Sequence, residues 1–128
     1  MFDLNRSTAD QESQGVWTTF GAGKFLVAHT NNMVFQREIT RLQAPYRKKI
    51  DKATLDPKIQ LEIMCKAMAK GILRDWKNVG AEGKEIPYNE DDAYKVLLLN
   101  SDLREYIQDF ALDLENFRAE EIEDTGKI

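Results

Sequence analysis

The spacing of apolar residues changes twice along the chain. From Val16 to Thr30 it follows a period of two. Val16-Trp17-Thr18-Thr19-Phe20 and Phe25-Leu26-Val27-Ala28-His29-Thr30 are rich in β-branched and aromatic residues, with Gly21-Ala22-Gly23-Lys24 between them. Two such runs around a short glycine-containing loop predict a β-hairpin. A lone hairpin is marginal in water, so it is expected to pack on helices or pair with another chain. After Asn31-Asn32, either of which can cap a helix, Met33, Phe35, Ile39 and Leu42 fall at rough helical spacing. Pro45 disfavours helical geometry at Ala44 and ends or kinks that helix. Asp56-Pro57 then supplies an N-cap and a proline at the first helical position. The apolar face that follows (Ile59, Leu61, Ile63, Met64, Cys65, Met68, Ile72, Trp76) predicts a helix from Pro57 to about Lys77. Gly71 inside it implies either a closely packed neighbour or a tolerated surface glycine.

The remaining segments are shorter. Gly80-Ala81-Glu82-Gly83 is a turn, and Pro87 keeps Lys84 to Tyr88 extended. Asn89 caps the next helix, whose first turn holds Glu90, Asp91 and Asp92, where negative charge complements the helix dipole. Ala93, Tyr94, Val96, Leu97 and Leu98 give it an apolar side. Asn100 or Ser101 caps the last helix, with Leu103, Ile107, Phe110, Leu114 and Phe117 in a narrow seam at alternating steps of four and three. Residues 1–14 read as a flexible polar leader and 119–128 as an acidic frayed tail. Between them, residues 15–118 are expected to form one α+β, mainly α-helical domain, an N-terminal β-hairpin followed by about four helices.

Composition narrows the function classes. The 128 residues are 42% hydrophobic and 31% charged, enough apolar content for one packed core. No apolar run approaches the ~18 residues of a membrane span, and the N-terminus lacks the apolar stretch of a secretory signal. Cys65 stands alone, which rules out an internal disulfide framework and fits a reducing cytoplasm. The net charge of −4 hides a split: residues 1–79 hold 13 basic and 8 acidic side chains, and residues 80–128 hold 5 basic and 14 acidic ones. Such asymmetry points to a charged partner, a self-complementary assembly or an acidic tail.

The chemistry-bearing residues form no catalytic constellation, so no enzyme activity, cofactor or metal site is expected. Cys65 lies on or beside an apolar helix face, where a thiol packs as a small hydrophobe, and His29 ends a strand. The carboxylates cluster at helix starts and on a solvated helix face. One histidine and one cysteine do not make a typical zinc site. Gly21-Ala22-Gly23-Lys24 lacks the second glycine and following helix of a phosphate-binding loop. The basic run Arg41, Arg47, Lys48, Lys49 and Lys52, beside Tyr46, can contact phosphates or dock the acidic half of another copy. The Met- and aromatic-rich residues Met64, Met68 and Trp76 can serve as core or as an adaptable contact face.

One segment carries a resemblance. It reads Ile72-Leu73-Arg74-Asp75-Trp76-Lys77-Asn78-Val79, then Gly83-Lys84-Glu85-Ile86-Pro87-Tyr88-Asn89, then Ala93 and Leu97-Leu98. A Trp-x-x-Val step, a glycine turn, an Ile-Pro-Tyr-Asn step and a short apolar helix resemble the tail assembly chaperones of long-tailed bacteriophages. The likeness extends in outline over residues 15–118 and is best over residues 72–98; the polar leader and the basic connector at 46–52 depart from it. It implies a protein without catalysis in the bacterial host cytoplasm. Such a protein binds the tape measure protein, keeps it soluble while tail tube subunits assemble, and is absent from the finished tail. In some phages a frameshifted longer product also recruits the tail tube protein. On this reading Met64, Met68, Ile72, Trp76, Ile86, Tyr88, Leu97 and Phe110 are the candidate partner-binding residues, suited to helix-in-groove contact. Arg41, Arg47, Lys48, Lys49 and Lys52 are the candidates for charge-mediated assembly of a homo-oligomer. The alternatives are a structural head–tail or tail completion protein, and a small nucleic-acid-binding regulator using the basic run at 41–52.

Overall fold

A computed structural model describes residues 14–118. The leader, apart from Gln14, and the acidic tail lie outside the described residues. The elements run β1 (Val16–Phe20), β2 (Gly23–Val27), α1 (Met33–Gln43), a 3-10 turn (Ala44–Tyr46), α2 (Arg47–Asp51), α3 (Pro57–Gly71), β3 (Leu73–Lys77), β4 (Gly80–Ala81), β5 (Lys84–Glu85), α4 (Glu90–Leu99), α5 (Ser101–Leu112) and a second 3-10 turn (Leu114–Phe117). The expected α+β, mainly helical fold with its leading hairpin is present.

Gly21 at φ +60° occupies the first central position of the two-residue hairpin loop, the place where a type II′ turn requires glycine. The hairpin closes with Phe20 opposite Gly23 and Val16 opposite Val27. Strand β2 is central: β3 pairs antiparallel along its other side, Phe25 opposite Trp76, with a register shift between Leu26 and Val27. A separate two-stranded hairpin, β4 with β5, follows.

Residues 73–77 are therefore a strand, whereas the apolar spacing continues the long helix to residue 77. The helix stops at Gly71, and the next residues bond to the sheet, with the Ala28 amide donating to the Ile72 carbonyl at 2.8 Å. Ile72 and Trp76, four apart, suit one face of a helix, but the edge of β2 competes for the same backbone groups and wins.

Local signals fix the helix starts. The Asn32 side chain accepts the Phe35 amide at 2.9 Å, Asp56 accepts the Lys58 amide at 2.9 Å, and Asn89 accepts the Asp92 amide at 2.8 Å. Asn32 also donates to the His29 carbonyl at 2.6 Å and the Gly71 carbonyl at 3.1 Å, tying the start of α1 to the end of α3. Asn100 precedes α5 but does not cap it with its side chain. It donates backward to the Val96 carbonyl at 2.9 Å, and Arg104 donates to the Leu97 carbonyl at 2.8 Å, so both close the C-terminal end of α4. The seam of α5 outlasts its helix: α5 ends at Leu112, and Phe117, in the 3-10 turn, packs against Phe110 and His29 with ring centroids 5.9 and 5.1 Å apart.

The core gathers Phe25 and Val27 of β2, Phe35 of α1, Cys65 and Met68 of α3, Leu73 and Trp76 of β3, Leu97 of α4 and Ile107 of α5. Among the described residues, no helix is long and apolar enough to cross a membrane, and no group of three or more His, Cys, Asp or Glu could hold a metal ion.

Candidate functional site

The start of α1, the middle of α3 and the end of α5 enclose an open groove of about 490 Å³. Its apolar lining is Phe35, Met64, Met68, Ile72, Ala111 and Leu112, and its polar rim is Thr30, Gln36, Gln108 and Asp109. Met68 and Ile72 are buried at the base, Met64 is half-buried, and Leu112 stands 65% exposed at the lip. Two methionines give the lining adaptable, polarizable side chains. The Thr30 amide donates to the Ala111 carbonyl at 3.0 Å, which joins the two walls at one end.

Three of the eight sequence-derived contact residues meet here: Met64, Met68 and Ile72. The other five do not line the groove. Trp76 is only 5% exposed, its indole N–H donates to the Ile86 carbonyl at 2.7 Å, and its ring meets Tyr88 edge-on at 5.3 Å. The Tyr88 hydroxyl donates to the Leu73 carbonyl at 2.7 Å, and burial raises its pKa above the usual tyrosine value. Trp76, Ile86 and Tyr88 thus form a structural clasp between β3 and the segment before α4. Leu97 is fully buried, and half-buried Phe110 packs against Tyr106 and Phe117. Trp76 and Leu97 are core residues, because strand geometry and helix packing turn both inward.

Sequence spacing missed Phe35, Leu112 and the polar rim as groove residues. Leu112 carried one signal: it is a large apolar residue off the α5 seam. Exposed Met33 and Val34, at 65% and 43%, extend apolar surface along the first turn of α1.

The basic run is solvent-facing. Arg41, Arg47, Lys48, Lys49 and Lys52 are all exposed. Arg41 binds the buried Glu38 side chain through two guanidinium nitrogens, one of them Nε at 3.3 Å. That hydrogen bond holds the Glu38 carboxyl below the ordinary carboxylate range, against the opposing effect of burial. The four other cations make no ion pair with another described residue. Cys65 is fully buried; desolvation pushes its thiol pKa up, and nearby Arg104 only partly offsets this, so it does not present a reactive thiolate.

The arrangement defines a small α+β domain with an apolar groove on one side and a short, solvent-exposed basic helix elsewhere on its surface. A family model described as YdaY prophage protein matches residues 30–127, from the start of α1 through the groove-forming helices, and the chain belongs to that prophage protein family. No curated protein and no solved structure matches the chain.

Proposed function

We propose that this prophage protein is a tail assembly chaperone acting in the host cytoplasm. It binds the tape measure protein and keeps it soluble while the tail tube assembles, without catalysis. The observation that carries the reading is the methionine-lined groove between α1, α3 and α5. Its open, apolar floor and polar rim suit the apolar face of an amphipathic helix, the form in which a long helical partner presents itself. Membership of a prophage family supports the setting. The segment of strongest resemblance, residues 72–98, supports the class, since its Trp76–Ile86–Tyr88 clasp gives the Trp and Ile-Pro-Tyr-Asn steps a shared structural purpose. Several copies on one long partner gain from avidity, and the exposed cations Arg47, Lys48, Lys49 and Lys52 face acidic surface on neighbouring copies.

Co-expression with the tape measure protein of the same prophage tests the reading. The intact chain is expected to hold that protein in the soluble fraction, and Leu112→Asp and Met64→Asp to lose that effect while remaining folded. Equal insolubility with and without the chain refutes the proposal. Recovery of the chain in purified virions makes it a structural tail component instead.

A further inference from the structure

The two edges of the three-stranded sheet are treated differently. The outer edge of β3 is occupied: the Tyr88 hydroxyl donates to the Leu73 carbonyl, and the Asp75 carboxylate accepts the Trp76 amide at 2.8 Å. That strand also carries Arg74, Asp75 and Lys77, charges of the kind that discourage edge pairing. Among the described residues, the outer edge of β1 has neither protection. Its sequence, Val16-Trp17-Thr18-Thr19-Phe20, has no charge and no proline, and it pairs with β2 alone among the described residues.

The register shows which backbone groups face outward. In a two-residue hairpin the closing pair, Phe20 with Gly23, exchanges hydrogen bonds, so Thr18 and Val16 also direct their amides to β2. The amides and carbonyls of Trp17 and Thr19 point away from β2, out of the sheet's edge. These two residues flank Thr18 symmetrically, so the edge is complementary to itself. With Thr18 on a two-fold axis, Trp17 of each copy exchanges hydrogen bonds with Thr19 of the other.

We propose that β1 pairs antiparallel with β1 of a second copy, centred on Thr18, to join two three-stranded sheets into one continuous sheet. The side-chain rows agree. Trp17 aligns with Leu26 and Asp75, and Thr19 with Lys24 and Lys77. Continued across the axis, each row passes from Asp75, Leu26 and Trp17 of one copy to Thr19, Lys24 and Lys77 of its partner, and no like charges meet across the axis. Trp17, 40% exposed with the Lys77 ammonium 4.6 Å from its ring centroid, gains a neighbour on its open side. The contact uses neither the groove nor the basic run, so its success or failure is separate from that of the chaperone reading.

Sedimentation equilibrium of the full chain is the test. A dimer is expected at ordinary salt and at about 1 M sodium chloride, where the Debye length falls to ~3 Å and a contact made by the basic run would weaken. Thr19→Pro removes an outward amide that β2 does not use, and is expected to weaken the dimer about tenfold or more with little change in circular dichroism. A second measurement stands if that variant misfolds. Trp17→Cys and Thr19→Cys chains, mixed under oxidised glutathione, are expected to crosslink to each other and neither variant to itself. A monomer at all concentrations overturns the proposal, as does a folded Thr19→Pro dimer of unchanged affinity or an absent mixed crosslink. Protection of the Trp17 and Thr19 amides only on binding a different protein also overturns it and assigns the edge to that protein's strand.

Discussion

Gly71 shows how a single hydrogen atom can set the distance between two helices. A Cβ built there comes within 2.6 Å of the Phe35 amide nitrogen and 2.7 Å of its Cα, backbone atoms that cannot rotate away. The helix-propensity loss of glycine is thus offset by close approach of α1 to α3. Gly71→Ala is expected to destabilise the fold by ~1–3 kcal/mol, the usual range for overpacking, despite alanine's better propensity; chemical denaturation measures it. Of the two sequence readings of this position, only tertiary contact could select close packing. At Glu38 the interaction is electrostatic. Its folded pKa lies below the unfolded value of 4.5, mainly through the hydrogen bond from Arg41. The stability it contributes is complete above the unfolded value and is lost as the pH falls through the folded one. Glu38→Gln is therefore expected to flatten the fall in stability on acidification below about pH 4.5, as read from melting temperatures across that window.

At the scale of elements, the capped helices were the most legible. Asn32, Asp56-Pro57 and Asn89 begin helices through side-chain hydrogen bonds to nearby amides, and such bonds depend only on local sequence. The passage from α3 into β3 was not legible. Ile72, Leu73 and Trp76 fit either period, and what decides between them is β2, whose sequence lies more than forty residues earlier. That decision moves Trp76 from a helix face to the sheet, where it meets Phe25 across the ladder and Tyr88 beside it. Trp76→Ala is expected to cost ~3–5 kcal/mol of stability in urea unfolding. A larger loss of partner binding than of stability would place Trp76 at a contact face. The same strand assignment explains why Trp76 does not join Met64, Met68 and Ile72 in the groove.

Over the whole molecule, one continuous core touches the sheet and every long helix, with Val27, Leu73, Leu97 and Ile107 all fully or almost fully buried. Residues 15–118 are accordingly expected to unfold in a single cooperative transition, with far-ultraviolet circular dichroism and tryptophan fluorescence giving coincident curves. Two separated transitions would show that the hairpin and helices fold as distinct units. The groove, by contrast, belongs to no single element: Phe35, Met68 and Leu112 come from three helices, and no spacing rule within one helix can relate them.

The sequence by itself determined the hairpin, the helix starts at Asn32, Asp56-Pro57 and Asn89, and the mainly helical class. Each depends on turn chemistry, local hydrogen bonding or residue inventory. Its resemblance over residues 72–98 also pointed toward phage, in keeping with the prophage family of residues 30–127. Tertiary structure alone decided that residues 73–77 are a strand, that Trp76 and Leu97 are core, and that α1, α3 and α5 leave a groove. Those outcomes follow from competition for backbone hydrogen bonds and buried volume among segments far apart in the chain, which local pattern does not encode.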